Sequence, residues 1–350
     1  MSFRLERRLG AGELEDQLRR EARAGLTATP KCMRSRWLWD ARGAALYERI
    51  MELPDYYLPR AERAVLEQRG GEIAALTRPR TVVELGSGSS VKATILLDAL
   101  PELERFVAVD VCEAALAAAG RRLAARYPRA EVVAVVGDYE RHVPGPYGKA
   151  LAVCLGSTIG ALEPGERATL LAALASMLGS DGALLLGLDL VKPVERIVAA
   201  YNDAGGLSAA LIGNLLHVLN RELGADFRPE RFRSEAVWKP ESERMEMGVR
   251  SLAAQTVTLA ALDLGVAFDQ GELLRTEIST RVSPRARRAG APRGGARSRR
   301  LVDRRGRRLR PMPRAALPGA PARRVAPARG ARRGRPPPRG RSRPGGRARS

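Results

Sequence analysis

The 350-residue chain is poor in the residues that most often carry metal or redox chemistry. It holds three cysteines, Cys32, Cys112 and Cys154, and two histidines, His142 and His217. The cysteines are widely spaced and odd in number, with no C-x-x-C pair or Cys/His cluster. No metal site is expected, and a disulfide framework is excluded on the same ground. No stretch reaches the roughly 18 consecutive apolar residues that a membrane span needs. The opening segment, MSFRLERRLGAGELEDQLRREARAGL, is charged throughout and lacks the apolar core of a secretory signal. These absences predict a cytoplasmic protein without a membrane partner.

Lysine is missing from one region altogether. Residues 281–350 contain 25 arginines, no lysine and one acid, Asp303. The remaining 280 residues carry 35 basic and 38 acidic side chains, so the net charge of +21 belongs to the tail. The tail also lacks Trp, Tyr, Phe and Ile, so it is expected to be disordered and to add nothing to a core. Length alone allows one large or two modest domains.

Within residues 1–280 the pattern is ordered. A charged amphipathic helix is expected over 11–26. An aromatic stretch, WLWDARGAALYERIMELPDYYLPRAE, follows, broken at Pro54 and Pro59. Apolar, β-branched runs then alternate with helical segments. TVVELGSG (81–88), RFVAVDV (105–111), AEVVAVVGDYE (130–140), ALAVCLGSTIG (150–160) and GALLLGLDL (182–190) read as five buried strands of a parallel sheet covered on both faces. Beyond Lys192 comes a helical segment, VERIVAAYNDAGGLSAALIGNLLHVLNRELG. Two alternating segments after it, SERMEMGVRSLAAQTVTLAAL and ELLRTEIST, read as antiparallel strands of a smaller subdomain.

The first chemical signal is the turn Glu84-Leu85-Gly86-Ser87-Gly88, which follows a buried strand and opens a helix. Its glycines let a ligand approach the backbone at the carboxyl end of the sheet. A dinucleotide fingerprint would need glycine at position 91, where Val91 stands, and a P-loop would need GK[ST]. Neither is present. The acidic E-x-G-x-G loop fits class I S-adenosylmethionine methyltransferases instead. Asp110, at the end of the second strand, can take the ribose hydroxyls. Asp138 and Tyr139, at the end of the third, can meet the adenine amino group and ring.

The ordered set AGLTATPKCMRSRWLWDARGAALYERIMELPDYYLPRAE, VELGSGSSVK, LGSTIG, LLLGLDLVK, AAYNDAGG, NRELGADF, ERMEM and RTEIS resembles the ergothioneine-pathway histidine Nα-methyltransferases over about residues 20–280. The resemblance implies a class I, Rossmann-like methyltransferase sheet plus a smaller α+β substrate domain. It places the substrate domain in 1–60 and 192–280 and the cofactor domain in 61–191. It implies Nα-methylation of L-histidine by S-adenosylmethionine, up to trimethylhistidine (hercynine), by a monomer that takes a small amino acid. Gly86, Ser87, Gly88, Lys92, Asp110, Asp138 and Tyr139 fall on cofactor contacts. Tyr56 and Tyr201 fall on tyrosines that hold the substrate's amino-acid backbone. Met247, Glu277 and Ser279 fall around the imidazole, with Glu277 and Ser279 bonding its nitrogens. No catalytic side chain is implied: a neutral amine attacks an already activated methyl, and the protein supplies alignment.

Three positions depart from the family. Ala161 stands where an asparagine helps fix the substrate's amino and carboxylate groups, Trp39 where tyrosine is usual, and Leu211 where phenylalanine is common. Weakened histidine binding or a changed acceptor is therefore expected. Methylation of another amino acid or aromatic amine, as in related fungal indole-alkaloid enzymes, stays open. So does a non-catalytic scaffold whose basic tail binds nucleic acid through phosphate contacts. The tail's composition reads better as a GC-rich gene translated out of frame, which would leave the sheet without its final strands. Mass spectrometry of the native protein checks this: no peptide from 281–350 is expected, and recovering one sinks the frameshift.

Overall fold

The computed structural model describes residues 3–283 apart from 11, 89 and 142, and two short strands at 301–302 and 308–309. The remaining tail, and with it the disorder expected there, lies outside the described residues. One compact unit spans Met1–Arg314; Ala315–Ser350 forms another, none of whose residues is described.

The chain opens with β1 (Phe3–Arg7), α1 (Glu13–Leu26), a 3₁₀ turn at Ser35–Leu38, α2 (Ala41–Glu52) and α3 (Leu58–Thr77). A regular alternation follows: β2 (Thr81–Leu85), α4 (Val91–Leu97), β3 (Arg105–Asp110), α5 (Glu113–Arg126), β4 (Glu131–Val136), β5 (Ala150–Cys154), α6 (Pro164–Leu178) and β6 (Ala183–Leu186). These six strands form one sheet in the order β1-β4-β3-β2-β5-β6. Every pairing in it is parallel. The fold is therefore α/β, with the five expected strands in place. Side chains of β2 and β5 are buried along their whole length, as strands covered on both faces must be. Strand order reverses at β2, between β3 on one side and β5 on the other. The loops after these strands open onto the crevice in which such sheets bind ligands.

Strand β1 was not anticipated. FRLER alternates apolar and charged residues, a half-buried edge pattern that is short enough to pass for a solvated terminus. Pro59 does not break a helix but begins one, in the first turn of α3, where its missing N–H costs nothing.

The second half holds α7 (Val194–Ala199), α8 (Leu207–Leu223), β7 (Phe232–Lys239), β8 (Arg244–Ser251), β9 (Gln255–Leu259), β10 (Leu264–Phe268) and β11 (Leu273–Thr280). The single helical segment expected after Lys192 is thus two helices, parted by the turn that ends at Gly206 (φ 71°). The first alternating segment likewise divides into β8 and β9. Strands β11, β8 and β7 make an antiparallel sheet, and β9 pairs with β10 as a hairpin. Leu18, Leu26, Leu38 and Ile50 from the N-terminal helices share one apolar core with Leu215, Leu219, Phe232 and Phe268. Separate clusters cover the two faces of the parallel sheet.

The fold also runs past the compositional boundary at 280. Arg281 is buried, and Val282 bridges to Leu190 beyond β6. Further on, β12 (Leu301–Val302) and β13 (Arg308–Leu309) form a two-residue antiparallel pair. Among the described residues no helix is long and apolar enough to cross a membrane, and no cluster of His, Cys, Asp and Glu could hold a metal. The three cysteines are unpaired.

Asn214 pins the N-terminal segment to α8. It is fully buried, and its amide donates to the Leu38 carbonyl (3.1 Å) and to Asp40 Oδ1 (2.7 Å). Asp40 in turn caps α2 by accepting from the Gly43 N–H at 2.9 Å. Asn214→Ala strands the Leu38 carbonyl without a partner and loosens the cap. A loss of about 1–3 kcal/mol of stability is expected in chemical denaturation.

Candidate functional site

The loop after β2 turns through Gly86 (φ 65°) and Gly88 (φ 49°), a conformation only glycine adopts cheaply. A Cβ at Gly86 would lie 3.4 Å from the Thr158 methyl, so the two loops close tightly there. At Gly88, among the described residues and apart from its chain neighbours, nothing lies within 4 Å of the place a Cβ would occupy. Backbone donors fix Asp110: the Gly88 N–H reaches Oδ2 at 2.9 Å and the Cys112 N–H reaches Oδ1 at 3.0 Å. Ser87 Oγ is buried without a hydrogen-bond partner among the described residues.

Lys92, in the first turn of α4, sets its ammonium 2.5 Å from Glu62 Oε2. Burial works against that charge, but Glu62 and Tyr47 hold it above the usual lysine range. Glu62 also accepts from the Gly156 N–H at 2.7 Å, which ties α3 to the loop after β5. Behind them burial pushes the Glu84 carboxyl up to about 8, opposed by the Ser90 hydroxyl that donates to it at 2.9 Å. After β4, Asp138 forms an ion pair with Arg36 and accepts from Gln17 at 3.3 Å and from the Glu140 N–H at 3.0 Å.

A cavity of about 500 Å³ runs from these loops to the antiparallel sheet. Gly86, Ser87, Gly88, Lys92, Asp110, Asp138 and Tyr139 line one end, and Tyr56, Tyr201, Met247, Glu277, Ser279 and Ala161 line the other. The structure thus brings all thirteen expected residues to one cavity. Trp39 and Leu211, two of the departures, line the same cavity.

Strand geometry explains the far end. Leu274, Glu277 and Ser279 lie opposite Val249, Met247 and Met245, alternate residues on one face of β8, and Ile278 lies opposite Glu246 on the other face. Between Arg275 and Glu277 the register with β8 slips by one residue, so that Glu277 lies directly opposite Met247. A bulge of this kind re-aims a side chain at the cost of one ladder position.

Glu277 and Ser279 are treated differently. Among the described residues no donor reaches the Glu277 carboxylate, whose open side is cavity. Burial pushes it up to about 7, with the Arg281 charge pulling the other way. Ser279 Oγ, by contrast, lies 3.0 Å from the Tyr201 hydroxyl and accepts from Arg281 at 2.6 Å. Above them Trp39, Tyr47, Tyr56 and Tyr201 stand edge to face in a row, with neighbouring centroids 5.2, 6.0 and 6.0 Å apart.

Sequence reasoning missed Tyr47, Arg36 and Glu62, all of which support or line this wall. Each sits on a helix or turn far from the glycine loop, where spacing gives no hint of contact. Only the density of aromatic and charged residues in 34–62 could have pointed to them.

The sequence profile described as "Histidine-specific methyltransferase, SAM-dependent" matches residues 18–308. The chain belongs to this methyltransferase family. A histidine N-alpha-methyltransferase of Mycolicibacterium smegmatis is 46% identical over 289 residues, covering 81% of this chain and 90% of the relative. The protein of the same description from Mycobacterium tuberculosis is 45% identical over 275 residues, 77% and 85% of the two chains. Ergothioneine biosynthesis protein 1 of Neurospora crassa is 28% identical over 63% of this chain and 28% of its own length. The family match continues to residue 308, further than the end of the resemblance placed near Ser279 from the sequence.

The Glu277 carboxylate, without a donor among the described residues, is a stability cost once it ionises. The folded protein holds the Glu277 proton up to about pH 7, and the unfolded chain releases it in the usual carboxylate range. The folded state therefore binds more protons across that window, and stability falls as pH rises through it, then levels off. Between pH 5 and 8 this contributes a loss of about 2 kcal/mol, and Glu277→Gln is expected to remove that part of the slope in urea denaturation.

Proposed function

We propose that the chain methylates the α-amino group of L-histidine with S-adenosylmethionine, up to three times, and that the cavity walls divide this work between them. The observation that carries the reading is the unpartnered Glu277 carboxylate, opposite Met247 and beside the Ser279–Tyr201 pair, in a cavity whose other end is the glycine loop. A ring N–H placed against Glu277 gains a directional, charge-assisted hydrogen bond, and a phenyl ring there would leave the carboxylate buried and unpaired.

The glycine-loop end fits S-adenosylmethionine. Gly88 opens onto free space, Ser87 Oγ needs a partner, and Asp110 is held by two backbone N–H groups with lone pairs to spare for a ribose diol. Tyr139 packs close to Gly86 and offers a ring face to the adenine, and Asp138 an acceptor. Lys92 offers a positive charge to a carboxylate. When bound, S-adenosylmethionine supplies a sulfonium methyl that needs no further activation.

The protein's own contribution is then orientation. Glu277 and Ser279 hold the ring, and Tyr56 with Tyr201 limits where the amine can stand. Burial raises the Tyr56 phenol well above its usual range, and Tyr47 is raised for the same reason. Neither serves as a base near neutral pH. The amine must arrive neutral, and its proton leaves to water. The 1–60 and 192–280 segments, which share a core, act as the substrate domain around the 61–191 cofactor domain.

The reaction is tested by incubating the purified chain with histidine and S-adenosylmethionine and following mono-, di- and trimethylated histidine by mass spectrometry. Absence of all three overturns the reading. Glu277→Gln is expected to raise the histidine KM by at least about tenfold while the S-adenosylmethionine Kd stays within twofold. Asp110→Ala is expected to do the reverse. Ala161 offers no hydrogen bond to the substrate's amino or carboxylate group, so Ala161→Asn is expected to lower the histidine KM severalfold. An unchanged KM removes the role assigned to that position.

A further inference from the structure

Arg281 stands just past the end of β11, with its side chain wholly excluded from solvent. Its guanidinium makes a closed set of contacts. One terminal nitrogen donates to Ser279 Oγ at 2.6 Å and to the Ser279 carbonyl at 2.8 Å. The other donates to the Tyr201 hydroxyl at 2.7 Å. Nε lies 2.7 Å from Asp189 Oδ2 as an ion pair, out of line for a hydrogen bond. Asp189 is itself held by the Tyr57 hydroxyl at 2.6 Å and by Lys192.

A guanidinium can only donate. Ser279 Oγ and the Tyr201 hydroxyl, 3.0 Å apart, therefore each accept from Arg281 and share one proton between them. Two oxygens carry two protons. If tyrosine donates to serine, both serine lone pairs are used and the serine proton is left over. If serine donates to tyrosine, the tyrosine proton is left over. In either arrangement one proton and one lone pair are left over, on different oxygens. A phenol is the stronger donor, so tyrosine donates, the spare lone pair stays on Tyr201, and Ser279 offers only its proton. Glu277, two residues earlier on the same face of β11, offers an acceptor.

We propose that Arg281 is a positioning residue for substrate choice: by taking one lone pair of Ser279 while Tyr201 takes the other, it fixes the Ser279 hydroxyl as a donor beside the Glu277 acceptor. The pocket thus selects a ring with one N–H and one bare nitrogen, the neutral imidazole. Imidazolium, with a second N–H aimed at a donor and at a buried cation, is rejected. The inference rests on the histidine reading above and on Arg281 lying in the true reading frame, ahead of any frameshift, and adds a residue and a protonation state to that reading.

Calorimetric binding of histidine and, separately, of S-adenosylmethionine to the full chain provides the test. Arg281→Met is expected to weaken histidine about tenfold, the loss of one oriented hydrogen bond, and to leave S-adenosylmethionine within twofold. Arg281→Lys, whose single ammonium can still donate, is expected to recover part of the loss. A lysine variant folds more readily than a methionine one, so it carries the test if Arg281→Met does not fold. Ser279→Ala should weaken histidine by itself, and adding Arg281→Met to it should cost much less than it does in the wild type. In the wild type, histidine binding should weaken as pH falls through the range in which the imidazole and Glu277 both gain a proton. Arg281→Met should flatten the imidazole part, and Arg281→Lys, which keeps the charge, should preserve it. Glu277→Gln should remove the part that belongs to Glu277.

Additive losses in the double variant, or unchanged histidine affinity and pH profile in both Arg281 variants, overturn the proposal and assign Arg281 to stability alone. A wild-type chain that binds S-adenosylmethionine but not histidine overturns the functional reading instead.

Discussion

One carboxylate joins the two halves of this molecule. Asp189 follows the last strand of the parallel sheet, accepts from Tyr57 at the head of α3, and pairs with Lys192 and with Arg281 beyond β11. The cavity lies between the parallel sheet and the antiparallel one, so its width depends on where these segments meet. Buried charges of this kind give little net stability, because desolvation offsets their attraction. Their value lies in direction: removing one partner leaves the others unpaired, so the network has one good arrangement. Burial lowers Lys192 from the usual lysine range and raises the Tyr57 phenol, as expected where solvent is excluded.

The two ends of the cavity meet charge in opposite ways. At the glycine loop the backbone satisfies the acid in advance, since Asp110 already accepts from Gly88 and Cys112. That end is preorganised for a ligand with hydroxyls to offer. At the antiparallel sheet no donor among the described residues reaches Glu277, and on the proposed reading a ring N–H would supply one. Specificity and recognition are thus separated along about 500 Å³ of space. On the proposed reading, a pocket with alanine at position 161 keeps its contacts to the ring while holding the amine less firmly.

Much of this was legible in the sequence because it is local. The glycine turn, the acids at strand ends and the β-branched runs each report their own backbone state within a few residues. The parallel sheet and the cofactor wall followed from them. The substrate wall came from resemblance, since nothing in the spacing of Tyr56, Tyr201 and Glu277 says that they meet. What escaped was long-range. Glu62 reaches Lys92 and Gly156 from a helix with no motif, and Arg36 reaches Asp138 across 102 positions of chain. Arg281 looked like the first residue of a basic tail, because composition averages over neighbours and cannot see one buried side chain. β1 was lost for the reverse reason: five residues give too short an alternation to stand out from a charged terminus.

The one-residue slip at Thr276 has an evolutionary reading. Side chains on a strand alternate, so where the extra residue sits decides which set of β11 faces the cavity. Removing it while Arg275 stays opposite Gly248 would set Thr276 and Ile278 opposite Met247 and Met245, on the face that now holds Glu277, and turn Glu277 to the opposite face, with no substitution at any contact. A new acceptor could therefore be reached by insertion or deletion near the hairpin before β11, where loop changes are tolerated. In such a pocket the choice of substrate is encoded in the phase of a strand as much as in the identity of its residues.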